Sequence, residues 1–214
     1  MMIAVTGANG QLGSDVVSEL RRSGNDVTEL THEQIELTDP NSIRTCLDGV
    51  RPEVLINTAA AHHVENCEKR PEHSLAVNAH GPQAMARWCA TNGARMIQIS
   101  TDYVFDGAKG APYDETDMPA PLNVYGESKL SGERLVAGNC DDSIILRVSG
   151  LYGHHPCRDK GANFVDKMIE LADSRDFLRV VDDEILTPTS TVEVARQIVP
   201  LLDAEITGIA HATA

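Results

Sequence analysis

The stretch Met2-Ile3-Ala4-Val5-Thr6-Gly7-Ala8-Asn9-Gly10-Gln11-Leu12-Gly13 passes from a short apolar run directly into a turn with a glycine at every third position. Beyond it Val16, Val17 and Leu20 recur at helical spacing as far as Gly24. Strand, glycine turn and helix in that order form a seat for a dinucleotide pyrophosphate. Backbone N–H groups and the positive end of the helix face the anion, and side chains at the glycines would block its approach. On this reading Gly7, Gly10 and Gly13 line the cofactor. The spacing is G-x-x-G-x-x-G rather than G-x-G-x-x-G and is weak evidence alone; the chain that follows carries the assignment.

Outward from this turn, strand and helix patterns alternate. Asp26 to Leu30 is a second strand. Asp39 caps a helix from Asn41 to about Gly49, with Pro40 in its first turn. Glu53 to Asn57 is a third strand, Pro71 to about Asn92 a long helix, and Arg95 to Ser100 a fourth strand. A helix from about Asn123 to Ala137 and a strand from Ser143 to Val148 follow. The last third offers a helix near Asn163 to Asp173, a short strand near Leu178 to Val181, a helix near Thr191 to Leu202 and a strand-like Gly208 to His211. Such alternation implies an α/β fold, a doubly wound parallel sheet with helices on both faces. Residues 1–148 make the dinucleotide-binding domain of Rossmann type, and residues 149–214 a small partial substrate lobe interleaved with the sheet.

Composition narrows the function classes. The chain has 214 residues, 42% of them hydrophobic, enough for a sizeable core. Its 32 acidic and 18 basic residues give a formal charge of −14, which opposes binding to a phosphate backbone, so nucleic acid is not an expected partner. No apolar run approaches the roughly 20 residues that cross a bilayer, so no membrane association is expected, and the N-terminus has no basic segment of a secretory signal. A cytoplasmic protein is expected. Cys46, Cys67, Cys89, Cys140 and Cys157 are widely spaced and read as free, mostly buried thiols. The pairs His62-His63 and His154-His155 lack the spacing of metal ligands, and no metal is expected.

Catalytic candidates cluster after the fourth strand. Thr101 to Pro121 is long for a connection and rich in Gly, Pro and Asp, which marks it as functional. The helix after it opens with Tyr125-Gly126-Glu127-Ser128-Lys129, and a spacing of four puts phenol and ammonium on one face. A neighbouring cation lowers the phenol pKa and lets Tyr125 act as acid or base. Thr101 can donate a hydrogen bond to a substrate carbonyl beside it. After the second strand, Glu29-Leu30-Thr31-His32 has no clear Asp for a ribose, which tilts the cofactor toward NADPH, with Arg21 or Arg22 as a source of charge; NADH stays open. Ala59, Ala60 and Ala61 leave room at the end of the third strand.

Taken together, Thr6 to Gly13, Ser100-Thr101-Asp102-Tyr103-Val104-Phe105-Asp106-Gly107, Tyr125 to Glu133, and Val181 to Glu184 with Thr187-Pro188-Thr189 resemble the extended short-chain dehydrogenase/reductase family, specifically its dTDP-4-dehydrorhamnose reductases. The resemblance covers nearly the whole chain. It implies hydride transfer from NADPH or NADH to the C4 ketone of a dTDP-sugar, giving dTDP-L-rhamnose. It further implies that Tyr125 protonates the oxygen, Lys129 binds the nicotinamide ribose, and Thr101 and Asp102 touch the sugar. Gly10, Gln11 and Leu12 would contact pyrophosphate, Glu36 and Leu37 the adenine, and Ala59 to Ala61 the ribose and nicotinamide region. Family members often pair as homodimers. Two departures stand out: Gly150 occupies a position where relatives often carry an aromatic residue packed on the sugar, and the chain reads as cut short in its substrate lobe.

Other readings follow from the same resemblance. Sugar-nucleotide dehydratases and epimerases share the Thr, Tyr and Lys, but the dehydratase carboxylate after Asp102 is Tyr103 here, which removes the base for elimination. The regulatory subunit of methionine adenosyltransferase is also similar, so a non-catalytic NADP-binding interaction protein is the alternative; an intact Tyr125 and Lys129 argue against it.

Overall fold

The computed structural model describes residues 1–155, 164–180 and 185–213. The chain begins with β1 (Met2–Thr6), α1 (Gln11–Arg22), β2 (Asp26–Leu30), α2 (Pro40–Val50) and β3 (Val54–Asn57). Next come α3 (Val64–Lys69), α4 (Pro71–Leu75), α5 (Gly81–Asn92), β4 (Arg95–Thr101), α6 (Val124–Ala137) and β5 (Ser143–Val148). The C-terminal part adds β6 (Leu151–Tyr152), α7 (Phe164–Ser174), β7 (Thr189–Ser190), α8 (Thr191–Leu201) and β8 (Gly208–Ala212). Among these described helices, none is long and apolar enough to cross a membrane.

Six strands lie side by side in the order β2-β1-β3-β4-β5-β8, every pair parallel. The order reverses between β1 and β3, the switch point at whose carboxyl ends such folds bind ligands. Alternate residues of each strand feed opposite faces. Ile3 and Val5 face Leu12, Val16, Val17 and Leu20 of α1 and Val194 and Ile198 of α8. Ala4, Leu55, Met96 and Ile145 face Ile43 and Leu47 of α2 and Met85, Trp88 and Cys89 of α5. Because both faces are covered, the central strands are apolar almost throughout. Full burial of each Ile or Leu contributes about 1.5–3 kcal/mol. β6 and β7 pair with each other away from the main sheet.

Several elements depart from the sequence-based expectations. The long helix from Pro71 is interrupted by a π turn at Ala76–His80. Pro82 has no N–H and its ring crowds the carbonyl of residue 78, which the wider turn relieves. The helix α3 was not expected, since its polar sequence shows no apolar period; it ends at Arg70 because Pro71 disfavours helical geometry in the residue before it. No strand forms over Leu178–Val180, and Val181 and Asn163 lie outside the described residues. Cys46, Cys67, Cys89 and Cys140 are free thiols, while Cys157 lies outside the described residues. Burial raises the Cys89 thiol above its ordinary pKa. Trp88 is core, its indole N–H donating to Asp48 at 2.8 Å.

The sheet also buries an ion pair. Arg147 of β5 meets Glu133 of α6 through two hydrogen bonds of 2.9 and 2.7 Å, with both side chains 3% exposed. Ser100 donates to the same carboxylate at 2.5 Å, and the guanidinium lies 5.0 Å from the centre of the Phe105 ring. Removing one partner strands the other's charge. Glu133→Ala is therefore expected to cost about 3–5 kcal/mol, whereas Glu133→Leu with Arg147→Met recovers most of that loss. Urea denaturation midpoints of the three proteins check this.

Candidate active site

The glycine turn closes on itself by backbone contact. Gly10 donates its N–H to the Gly7 carbonyl at 2.8 Å, and Gly7 donates to Leu30 at 2.9 Å, tying the turn to the end of β2. Gly7 has φ of 67°, and a Cβ there would lie 2.8 Å from the Ala59 nitrogen. A Cβ on Gly13 would lie 2.1 Å from the Gly7 carbonyl oxygen. No side chain caps α1 at Gly10, and the Gln11 amide nitrogen is buried without a hydrogen-bond partner. The glycines let the turn pack against Ala59, Thr58 and its own carbonyl, while the open helix N-terminus and the unpaired buried amide fit the pyrophosphate of a dinucleotide. Beside the turn a cavity of about 270 Å³ is lined by Ala8, Asn9, Ser14, Val17, Ser18, Arg21 and Glu29. Arg21 is already paired there with Glu29 at 2.8 Å.

The remaining cofactor candidates differ in what they offer. Leu12 and Leu37 are buried in the core, so their side chains serve packing. The Glu36 carboxylate accepts from the backbone N–H and hydroxyl of Thr38 at 2.8 and 2.7 Å, which hold it below the usual carboxylate range. Ala59, Ala60 and Ala61 are partly exposed where β3 ends, beside the glycine turn. Asn78 in the π turn accepts from the Ala61 N–H at 2.9 Å, and its amide nitrogen is 2.8 Å from the Ala61 carbonyl and 2.9 Å from the Ser128 hydroxyl. Asn78 is thus a site-shaping residue that sequence reasoning missed, because an Asn inside a helical pattern carries no local signal.

A row of buried side chains runs along the carboxyl edge of the sheet. The Thr6 hydroxyl donates to Asn57 at 2.5 Å, and the Asn57 amide donates to Gln98 at 2.8 Å. The Gln98 amide and the Lys129 ammonium then donate to the same Ile99 carbonyl, at 2.8 and 2.6 Å. Lys129 is only 4% exposed, and burial pulls its pKa down to about 8, partly opposed by the charge of Glu133.

Tyr125 stands at the open end of this row, half-buried and edge-on to Tyr103 with ring centres 5.5 Å apart. Burial raises the phenol above its ordinary pKa, the neighbouring Thr101 hydroxyl pulls it down, and the charge of Asp102 raises it further. The expected lowering by Lys129 is absent here, because the ammonium is directed to the Ile99 carbonyl and desolvation governs both groups. Thr101 donates to Asp102 at 3.1 Å and accepts from the Tyr103 N–H at 3.2 Å. Asp102 in turn accepts from Ser149 at 2.5 Å.

Gly150 has its own steric reason: a Cβ there would lie 2.5 Å from a Leu186 methyl and 2.9 Å from the Thr187 carbonyl. A side chain at this position has no room in this packing. The histidine pairs stand apart from one another in role; His155 lies 3.4 Å from the Asp15 carboxylate near the start of α1. Among the described residues no three His, Cys, Asp or Glu side chains are grouped to hold a metal ion.

A parallel doubly wound sheet, a glycine turn at its switch point and a Thr, Tyr and Lys set at the neighbouring strand end define a dinucleotide-binding fold of the extended short-chain dehydrogenase/reductase class. The sequence profile of the RmlD substrate binding domain matches residues 1–214, and the chain belongs to that family. A dTDP-4-dehydrorhamnose reductase from Mycobacterium tuberculosis is 39% identical over 215 residues, 98% of this chain and 69% of the relative. The spore coat polysaccharide biosynthesis protein SpsK of Bacillus subtilis is 38% identical over 199 residues, 93% of this chain and 69% of its own. Among solved structures, a dTDP-4-dehydrorhamnose reductase from Clostridium acetobutylicum superposes with a TM-score of 0.94 at 37% identity, over 100% of this chain and 74% of that one. The Bacillus anthracis enzyme of the same name, in complex with NADP, gives 0.93 at 34% identity, over 99% and 74%.

The lowered Lys129 pKa has a consequence for stability. Lys129 in the unfolded chain titrates near ~10.4, so between about pH 8 and that value the unfolded state binds more protons and stability rises with pH. The urea midpoint is expected to increase over that window relative to Lys129→Met, in which this contribution vanishes.

Proposed function

We propose that the chain catalyses NAD(P)H-dependent reduction of the C4 ketone of dTDP-4-dehydro-L-rhamnose to dTDP-L-rhamnose. The observation that carries this reading is the gathering of Thr101 at the end of β4 and of Tyr125 and Lys129 on α6, the latter bonded to the Ile99 carbonyl of β4, on the same sheet as the open N-terminus of α1. Relatives at 39% identity that bear the reductase name support it, as does the NADP held by a structural neighbour. NADPH is the preferred reductant in this reading, with NADH as the second choice.

The residues divide the work as follows. Gly7, Asn9, Gly10, Gln11 and Leu12 hold the pyrophosphate through backbone N–H groups, with Glu36 and Leu37 toward the adenine and Ala59 to Ala61 toward the ribose and nicotinamide. A bound dihydronicotinamide supplies the hydride to C4. Tyr125, whose phenol stays protonated because burial raises it, gives its proton to the carbonyl oxygen as charge develops there. Water then restores the phenolic proton. Lys129 sits one helical turn away, fixed on the Ile99 carbonyl, where it can meet the nicotinamide ribose. Asp102 and Thr101 touch the sugar. Residues 1–148 carry the cofactor, and residues 149–214 contribute a partial sugar-side lobe interleaved with the sheet, to which β8 belongs and against which α8 packs.

Oxidation of NADPH in the presence of dTDP-4-keto-6-deoxy-L-mannose, followed by absorbance, tests the proposal. Tyr125→Phe is expected to lower kcat by about 10²–10⁴ while NADPH affinity changes little. Cofactor binding without oxidation, and unaltered by Tyr125→Phe, would instead favour a binding module.

A further inference from the structure

Tyr125, Lys129 and Glu133 recur at every fourth residue of α6 and stand in one row along its side. Glu133 lies about 12 Å from Tyr125 along the helix axis, so it acts on the reaction only through its neighbours. The row meets consecutive residues of β4. Lys129 donates to the Ile99 carbonyl at 2.6 Å, Ser100 donates to Glu133 at 2.5 Å, and Thr101 ends the strand. The Glu133 oxygen that accepts from Ser100 also accepts from Nε of Arg147, and the other oxygen accepts from Nη2 of the same guanidinium. One carboxylate thus ties α6 to β4 and to β5.

Close packing and directional bonds divide the task of seating this helix. A Cβ on Gly126 would lie 2.2 Å from the Tyr103 carbonyl oxygen, and one on Gly132 would lie 2.1 Å from that of Asn78, so the two glycines set how near α6 approaches. Apolar packing has no preferred direction, whereas a charge-assisted hydrogen bond weakens steeply as its angle closes. The polar contacts therefore choose the register of the helix on the strand. Ser100, Glu133 and Arg147 are all buried, where no water takes the place of a lost partner.

We propose that Ser100 and Glu133 form a positioning clamp for the reduction: their hydrogen bond sets the register of α6 on β4, and with it where Tyr125 and Lys129 stand relative to Thr101. Neither residue exchanges a proton with substrate or cofactor. Arg147 orients the carboxylate, and Ser100 links it to the strand between the carbonyl that holds Lys129 and the threonine at the strand end. A misplacement of about 1 Å between reacting groups costs on the order of a hundredfold in rate, so a slip of the helix is felt in turnover before it is felt in folding. The inference rests on the reductase reading above.

The test compares wild type, Ser100→Ala, the apolar pair Glu133→Leu with Arg147→Met, and the triple variant that joins them. Turnover is NADPH oxidation with dTDP-4-keto-6-deoxy-L-mannose, and amide hydrogen exchange of the cofactor-free chain gives a readout independent of activity. Ser100→Ala keeps both Arg147 bonds and strands no charge, so the fold persists. Its kcat is expected to fall on the order of tenfold to a hundredfold, with KM for the sugar and NADPH affinity nearly unchanged. Exchange over residues 97–103 and 124–131 is expected to quicken several-fold while β1 and β3 keep their protection. The apolar pair, though stable, is expected to turn over as slowly as Ser100→Ala, because the serine has lost its acceptor, and the triple variant to be little slower still. An unchanged kcat or unchanged exchange in Ser100→Ala, or a full-rate apolar pair, would overturn the clamp while leaving the reductase reading intact. A wild-type chain that binds NADPH and never oxidises it would overturn both.

Discussion

Everything at the carboxyl edge of the sheet depends on how closely the backbone packs where β1 turns into α1. The Gly7 carbonyl accepts the Gly10 N–H, and Gly13 sits so close above it that a methyl group would fall 2.1 Å from that oxygen. Thr58, just past β3, donates its hydroxyl to the Thr6 carbonyl at 2.7 Å, locking the two central strand ends together. This contact sets where α1 begins and which N–H groups remain open, and it leaves the neighbouring Ala59 only the space that a glycine at position 7 allows. A larger residue at position 7 or 13 would push the helix off the sheet before it touched a ligand.

From that packed corner the polar side chains propagate order sideways. Thr6, Asn57 and Gln98 stand on three adjacent strands and are all buried, so each must find its partner within the protein. They do so in sequence, ending at the Ile99 carbonyl that also receives Lys129. A partly satisfied row would be costly in this dry environment, so the arrangement favours one set of rotamers and one position for the ammonium. The site therefore inherits its geometry from the sheet, while the long segment after β4 packs on itself and on α6, with Phe105 stacked on Tyr113 at 4.2 Å and clustered with Leu130.

The fold was legible because its signals are local. The apolar runs of β1, β3, β4 and β5, the cap at Asp39 and the glycine turn each announce themselves within a dozen residues, and their alternation implies the parallel, doubly wound class but not which strands are neighbours. Candidates for the site could be named too, since Thr101, Tyr125 and Lys129 sit in short motifs. Their mutual electrostatics was not. A spacing of four on a helix suggests a cation lowering a phenol, but only the third dimension reveals that the ammonium faces Ile99 and that desolvation moves the two groups in opposite directions. Asn78, Gln98 and Ser149 were invisible for the same reason: each acts through a partner distant in the chain or through a neighbour's backbone, and no periodicity encodes that.

Those opposed shifts bear on why a reductase site would be buried this way. Burial disfavours charge on Tyr125 and on Lys129 alike, so the resting site tends toward a neutral phenol and an ammonium that loses its proton near pH 8. A ketone reduction needs a proton donor at the start and tolerates a phenolate only briefly, so a phenol held above its ordinary range is poised in the direction that the reaction runs. The charge that then appears on Tyr125 is costly in that setting, which keeps the phenolate short-lived and favours the return of its proton. Thr101, the neighbour that pulls the phenol in the other direction, directs its own proton to Asp102 in the resting site.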